Sequence, residues 1–260
     1  MNVAVHGAGG QTGGAVMAAA AERDDLTLSW GVSANPGDGK AHGVSVYAPG
    51  ELAHLLDRYR PNVLVDFTVP EASVDAVRAA TEAAVPVVVG TTGFSEAQLE
   101  DLREASEAVP VLKSTNFARG VQALLRAVES AVADLPGYDV EVTETHHNRK
   151  RDAPSGTANT ILETIEGVRE ARGIEGGERV HGREGEAPRQ AGEIGVHARR
   201  AGDVRGEHEV LLAGNDEVVT LTHRAESRRV FAEGALDAAV WLAGKPPGLY
   251  DFADVLEDGA

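Results

Sequence analysis

The stretch from Asn2 to Gly13 limits what this chain can fold into more than any other. Residues 2 to 6, NVAVH, form a short apolar run of β character, GAGGQTGG comes directly after it, and AVMAAAAERD then reads as helix. Strand, glycine turn and helix in that order are the setting of a dinucleotide site. Glycine permits the tight turn and lets the backbone approach a pyrophosphate, which rests on the helix N-terminus. The strict G-x-G-x-x-G pattern fails because Thr12 stands where the third glycine belongs, but Gly7, Gly10 and Gly13 satisfy G-x-x-G-x-x-G.

The chain as far as Lys113 repeats the theme. Asn62–Phe67, Val85–Gly90 and Val109–Lys113 read as short apolar strands, with helical patterns over 70–84 and 95–107 between them. Strands alternating with helices of that length predict right-handed β-α-β units and a parallel, Rossmann-like sheet. The turns after these strands, Thr68-Val69-Pro70, Gly90-Thr91-Thr92-Gly93 and Ser114-Thr115-Asn116-Phe117, then fall along the edge where such sheets bind ligands. The second strand, Leu26–Val32, runs into Ser33-Ala34-Asn35, with no acid to hold a ribose 2′-hydroxyl or repel a 2′-phosphate. Ser33 and Asn35 can donate to such a phosphate, so the reading leans to NADPH with NADH also open.

From Tyr138 the texture changes. YDVEVTETHH alternates, a helical pattern ILETIEGVREA comes after it, and a glycine- and glutamate-rich connector over 172–188 leads to EIGVHARR, VRGEHEVLLAG and EVVTLTHR. These segments read as antiparallel strands joined by polar turns such as Gly214-Asn215-Asp216. The fold class is α/β, with a second, α+β domain built on a mixed or antiparallel sheet. The expected boundaries are 1–117 for the nucleotide domain, completed by 229–260, and 118–228 for the substrate and oligomerisation domain. The last helix, Arg228–Leu242, is expected to return to the first domain. Trp30, Trp241, Phe231 and Phe252 are expected in the core or an interface, and His6 in a structural role.

Charge singles out one loop. Asp and Glu total 41 against 24 Lys and Arg, a formal net charge of -17. Yet Glu144–Ala158, ETHHNRKRDAPSGTA, carries His146, His147, Arg149, Lys150 and Arg151. The run ends in Pro-Ser-Gly-Thr, so the amides of Ser155, Gly156 and Thr157 open a helix, and a helix N-terminus attracts anions. Two imidazoles, a lysine and an anion-holding turn suit a site that binds a carboxylate or phosphate and protonates something beside it. A solvated basic loop ahead of an ordinary capped helix accounts for the same residues. A metal at His146, His147 and Asp152 is disfavoured, because adjacent histidines point apart in a strand and no H-E-x-x-H helix is present.

The acidic balance argues against a nucleic-acid partner or an anionic membrane surface. Cysteine is absent, which removes disulfides, thiol nucleophiles and cysteine-ligated metals. No apolar run approaches eighteen residues, and the N-terminus lacks the charged-then-apolar pattern of a secretory signal, so the expectation is a cytoplasmic protein. Only four basic residues are lysine: Lys40, Lys113, Lys150 and Lys245. Acidic excess with few lysines is the expectation for a halophilic protein, since a Debye length of ~3 Å at 1 M salt screens its self-repulsion.

Taken together these residues resemble the dihydrodipicolinate reductase (4-hydroxy-tetrahydrodipicolinate reductase) family. Glu144–Ala158 matches its pattern E-x-H-H-x-x-K-x-D-A-P-S-G-T-A. Similarity extends to the glycine loop, Asp66-Phe67-Thr68, Gly90-Thr91-Thr92-Gly93-Phe94, Asn116-Phe117, Glu193-Ile194-Gly195, Gly206-Glu207-His208, Thr222-His223-Arg224 and Pro247-Gly248-Leu249-Tyr250. The resemblance implies NAD(P)H-dependent reduction of a cyclic imine dicarboxylate in lysine and diaminopimelate biosynthesis. It implies His146 as the acid/base residue and Lys150 as the proton donor, with His147, Ser155, Gly156, Thr157 and Arg228 on the substrate. Gly7, Ala8, Gly9, Gly10, Gln11, Thr12, Ser33, Gly90, Thr91, Thr92, Ser114, Thr115, Asn116 and Phe117 would line the cofactor. A homotetramer joined through the second-domain sheets is implied as well.

Two departures bear on the cofactor. Gln11-Thr12 stands where the family usually has Arg-Met, which removes a cation from beside the cofactor phosphate, and Ser33-Ala34 replaces a charged pair after the second strand. The alternatives are another two-domain nicotinamide-dependent amino-acid or semialdehyde dehydrogenase, and a non-catalytic NADPH sensor.

Overall fold

Val3 and Val5 of β1 (Asn2–His6) face one side of a sheet and Ala4 the other, and all three are fully buried, as a strand covered on both faces requires. The computed structural model describes residues 1–174 and 177–258. After β1 come α1 (Gln11–Glu22), β2 (Thr27–Val32), β3 (Lys40–Ala41), β4 (Val44–Tyr47), α2 (Leu52–Tyr59), β5 (Val63–Asp66), α3 (Pro70–Glu82), β6 (Val87–Val89), α4 (Glu96–Ser106) and β7 (Pro110–Lys113). The chain continues through α5 (Arg119–Asp134), β8 (Asp139–His146), α6 (Gly156–Ala171), β9 (Arg179–His181), β10 (Ile194–Arg200), β11 (Glu207–Gly214) and β12 (Glu217–Arg224). It ends with α7 (Arg229–Leu242), β13 (Gly248–Tyr250) and α8 (Phe252–Glu257). These elements divide into two compact units, one of Met1–Ala118 with the chain from Arg228 onward, the other of Arg119–Ser227.

In the first unit eight strands lie in the order β13-β7-β6-β5-β1-β2-β4-β3, parallel throughout except for the β3–β4 hairpin. Valines alternate across the strands and feed two cores. Val3, Val5, Val65 and Leu112 pack with the alanine-rich faces of α1 and α7 and with Phe252, whereas Ala4, Leu64, Val87 and Val111 pack with α2, α3 and α4. From β1 the order runs to β2 on one side and to β5 on the other, and a ligand crevice opens outside the carboxyl ends of strands at such a reversal. Glycine is required in the first turn. Gly7 sits at φ +88, where a Cβ would lie 2.1 Å from the Phe67 carbonyl oxygen, and a Cβ on Gly13 would lie 2.1 Å from the Gly7 carbonyl oxygen.

The second unit is a five-stranded sheet in the order β12-β11-β8-β10-β9. One face is covered by α5, through Leu124, Val128 and Val132, and by α6, through Ile161, Leu162 and Ile165. The sheet is mixed, which corrects the antiparallel reading of EIGVHARR. β10 runs parallel to β8, with Ile194 beside Val140 and Arg200 beside His146, and β9 runs parallel to β10. The cause is α6: a helix between two strands returns the chain for a parallel pairing. β11 and β12 are antiparallel, closed by Asn215 and Asp216 at φ 50 and 58, the backbone that a two-residue hairpin requires. The connector expected over 172–188 contains β9, and Glu175 and Gly176 within it lie outside the described residues.

Candidate active site

On β8, Val140, Val142, Glu144 and His146 share one face. The two valines enter the helix-covered core, and the acid and imidazole stand where that core ends. Glu144 is 1 % exposed. Its carboxylate accepts from His146 Nδ1 at 2.6 Å, from Arg200 Nη1 and Nη2 at 2.8 Å each, and from the Ser155 amide at 3.1 Å. Burial pushes this carboxyl up, but the bonds from His146 and Arg200 outweigh it and hold the group at about 2. An ionised Glu144 can only accept, so Nδ1 of His146 carries the proton and Nε2 is left for exchange with a ligand. The Gly206 backbone passes so close that a Cβ there would lie 3.1 Å from Nε2.

Arg200 reaches Glu144 because the parallel register sets it beside His146, and it also donates to the Asp152 carbonyl at 2.6 Å. One guanidinium therefore ties the strand to the loop. In that loop the Lys150 amide donates to the His147 carbonyl at 3.1 Å, which closes a turn, and Lys150 Nζ lies 2.8 Å from Asp152 Oδ2. Burial acts to raise the Asp152 carboxyl, and the Lys150 ammonium prevails and lowers it. His147 comes directly after the strand and is half-buried.

Ser155 is the N-cap of α6. Its Oγ accepts from the Ala158 amide at 3.1 Å and lies 3.1 Å from His208 Nε2, and its own N–H goes to Glu144. With Ser155 2 % exposed, its N–H and hydroxyl are spent on building the turn, so the side chain expected on a ligand serves as a cap. Gly156 is exposed at the head of the helix and Thr157 is buried beside it. His208 faces Glu144 across the β8–β11 pair. Burial, then the charge of His146, holds its imidazole at about 3, so it is neutral in ordinary buffers. Arg228, expected on the substrate, belongs to the first unit, as the N-cap residue of α7.

In the first unit a cavity of about 400 Å³ opens over the glycine turn, lined by His6, Gly7, Gly9, Gly10, Ser33, Asn35, Phe67 and Thr68 among others. A smaller one, about 190 Å³, is lined by Thr12, Phe67, Gly90, Thr115, Asn116, Phe117 and Phe231. Most residues expected on a cofactor meet in these two hollows. Ala8 instead faces the core, Gln11 and Thr92 are exposed, and Ser114 Oγ donates to the Asn116 carbonyl at 3.1 Å. The Thr91 hydroxyl turns inward to Asp66 at 2.7 Å. Phe117 is 2 % exposed, its ring edge-on to Phe67 and tilted against Phe252, so it is a wall rather than a donor. A bare-backbone turn, an apolar wall and the absence of a carboxylate after β2 fit a dinucleotide with or without a 2′-phosphate.

The family model described as "Dihydrodipicolinate reductase, N-terminus" matches residues 1–117, and "Dihydrodipicolinate reductase, C-terminus" matches 120–256. The 4-hydroxy-tetrahydrodipicolinate reductase of Natronomonas pharaonis is 56% identical over 98% of this chain and 100% of its own. The chain belongs to the dihydrodipicolinate reductase family. The enzyme of the same name from Haloarcula marismortui is 52% identical over 98% of both chains. Among solved structures, the dipicolinate-bound dihydrodipicolinate reductase of Paenisporosarcina sp. TG-14 shares the fold, with a TM-score of 0.78 and 24% identity over 96% of this chain and 97% of its own. An amine dehydrogenase from Mycobacterium smegmatis shares it more distantly, at a TM-score of 0.64 and 13% identity over 97% and 95%. The C-terminal reductase model runs through α7, β13 and most of α8, elements that belong to the glycine-turn unit.

For a dihydrodipicolinate reductase, the residues that sequence reasoning left without a role are informative. Glu144 stood in the motif unassigned, and Arg200 lies 50 residues from Lys150 with only its strand pattern to mark it. His6, expected in a structural role, and Asp66, left without one, carried a weak signal: a polar residue at or near the end of an apolar run, just before a turn.

Proposed function

We propose that this chain reduces 4-hydroxy-tetrahydrodipicolinate to tetrahydrodipicolinate with NADPH or NADH, the 4-hydroxyl leaving as water to give dihydrodipicolinate and one hydride and one proton adding to that ring, a step of lysine and diaminopimelate biosynthesis. The observation that carries the reading is the buried, ionised Glu144, which presents His146 beside the Lys150 turn and the head of α6. NAD(P)H, when bound along the glycine turn, supplies a hydride. Lys150 delivers the proton to the nitrogen side of the ring, and its charge stabilises the anion that develops there. His146 serves as acid/base through Nε2, oriented by Glu144 as a carboxylate orients an imidazole elsewhere. The ring carboxylates rest on the first amides of α6 at Gly156 and Thr157, with His147 assisting.

The test is NADPH oxidation with the condensation product of pyruvate and aspartate semialdehyde, set against a panel of 2-oxo acids with ammonia. Turnover confined to the first supports the reading. Turnover confined to the panel makes the chain another dehydrogenase, and binding without turnover makes it a sensor. Within that assay Lys150→Ala lowers kcat by about 10²-fold or more while leaving NADPH affinity within about twofold. Equal losses in both would remove Lys150 from the chemistry.

The same reading extends to a cytoplasmic homotetramer joined through the sheets of the second unit, since an open sheet invites pairing. Light scattering at four times the 27.2 kDa chain mass supports it, and a monomer overturns it.

A further inference from the structure

Asp66 ends β5, and it is 0 % exposed on a strand whose other residues, Val63, Leu64 and Val65, are buried and apolar. A buried carboxylate is costly unless it is fully hydrogen-bonded, and packing alone would accept a valine here. Three donors satisfy it. Oδ1 receives His6 Nδ1 at 2.8 Å and Thr68 Oγ1 at 2.8 Å, and Oδ2 receives Thr91 Oγ1 at 2.7 Å. The same Thr91 oxygen accepts the Thr68 amide at 2.9 Å. Backbone bonds reinforce the cluster, from the Phe67 amide to the His6 carbonyl at 3.0 Å and from the Gly90 amide to the Asp66 carbonyl at 2.8 Å.

Each donor stands at the root of a different segment. His6 is the last residue before the glycine turn, and Thr68 and Thr91 are the second residues after β5 and β6. His6 and Asp66 are register partners on the two strands at which the sheet order reverses. His6, Gly7, Phe67 and Thr68 line the larger cavity, and Phe67 and Gly90 the smaller. Thr91, 3 % exposed, lends its hydroxyl to Asp66, so this turn offers a ligand its backbone, held at a set height. Loops ordered in advance spare a ligand the entropy of ordering them.

We propose that Asp66 is the positioning residue of the nicotinamide-nucleotide site: its buried carboxylate, through His6, Thr68 and Thr91, holds in register the three segments on which the cofactor lies. This rests on reading the glycine-turn cavity as the cofactor's seat.

The experiment measures NADPH dissociation constants by nicotinamide fluorescence, with melting curves, for Asp66→Asn, Thr91→Val, the double variant of these two, Thr91→Ser and Gly9→Val. Asp66→Asn sets an amide N–H against a donor. Thr91→Val keeps the shape and removes the bonds, and Thr91→Ser keeps the hydroxyl. The expectation is that Asp66→Asn and Thr91→Val each weaken NADPH roughly tenfold or more while folded, that Thr91→Ser stays within about twofold of the parent, and that the double variant binds no worse than Asp66→Asn alone, because one hub is lost only once. If Asp66→Asn does not fold, the Thr91 pair decides by itself. Lowered melting with unchanged NADPH affinity would make the cluster structural only and overturn the proposal, as would a Thr91→Ser variant as weak as Thr91→Val. Gly9→Val separates the two readings. Lost binding there with intact binding in Thr91→Val defeats the Asp66 hub alone. Intact binding in Gly9→Val shows that the cavity is not the cofactor's seat and defeats both.

Discussion

Glu144 and Arg200 show how a reactive imidazole is aimed. The guanidinium meets the carboxylate in two parallel bonds, the strongest geometry such a pair adopts, and the imidazole takes what remains. Arg200→Met leaves a buried carboxylate with less compensation. The expected cost is about 3 kcal/mol of stability, with kcat falling more than NADPH affinity, and denaturant unfolding together with steady-state kinetics checks both. His208 carries a separate prediction about pH. Its folded value of about 3 lies below the ordinary 6.5, so between those limits the unfolded chain binds the extra proton. The contribution of His208 is therefore whole above pH 6.5 and drains away as pH falls towards 3. Glu144 acts in the same direction but only below its ordinary 4.5, towards about 2. Melting temperature recorded from pH 7 down to 4.5 thus isolates the histidines, and His208→Gln flattens that limb. An unchanged slope would mean that His208 is not held neutral by the fold.

At the scale of elements, the helix head of α6 is where sequence and structure agree on the element and differ on its parts. The Pro-Ser-Gly-Thr stop and start were legible as an N-terminus, since Ser is a strong cap and the apolar period begins directly after it. That the cap would consume both polar groups of Ser155 was not legible, because its second partner, Glu144, is eleven residues back and is brought to it only by the fold of the loop, and its third, His208, comes from a strand far away in the chain. Gly156 was legible as a turn residue, and the structure adds open space where a Cβ would stand. Gly156→Val therefore changes melting by no more than a helix-propensity difference, about 0.5 kcal/mol, while raising KM for the diacid at least tenfold. An unchanged KM would take the α6 head out of substrate binding. In the first unit β1, β5, β6 and β7 were readable because each is a short valine-rich run beside glycine or proline, whereas β3, β4 and β13, of two to four residues, are too short to show a period. In the second sheet the direction of β10 was not readable, because alternation reports which face is buried and carries no information about strand direction.

On the scale of the whole molecule, the net charge of -17 carries a prediction about salt. The melting temperature is expected to rise as KCl goes from dilute towards molar, since screening at ~3 Å relieves repulsion among carboxylates that outnumber the cations. A melting temperature that stays level or falls would remove the halophilic reading. By itself the sequence determined the parallel α/β sheet, the glycine turn, the cationic helix head and the membership they imply, because each rests on local periodicity, turn chemistry or an unbroken motif. Only the tertiary structure decided that Arg200 secures Glu144, that His208 is buried neutral behind Ser155, and that Asp66 gathers three loops. Those facts depend on strand order and register, which bring together side chains dozens of residues apart, and on burial, which decides how much each charge costs and how tightly its partners must hold it.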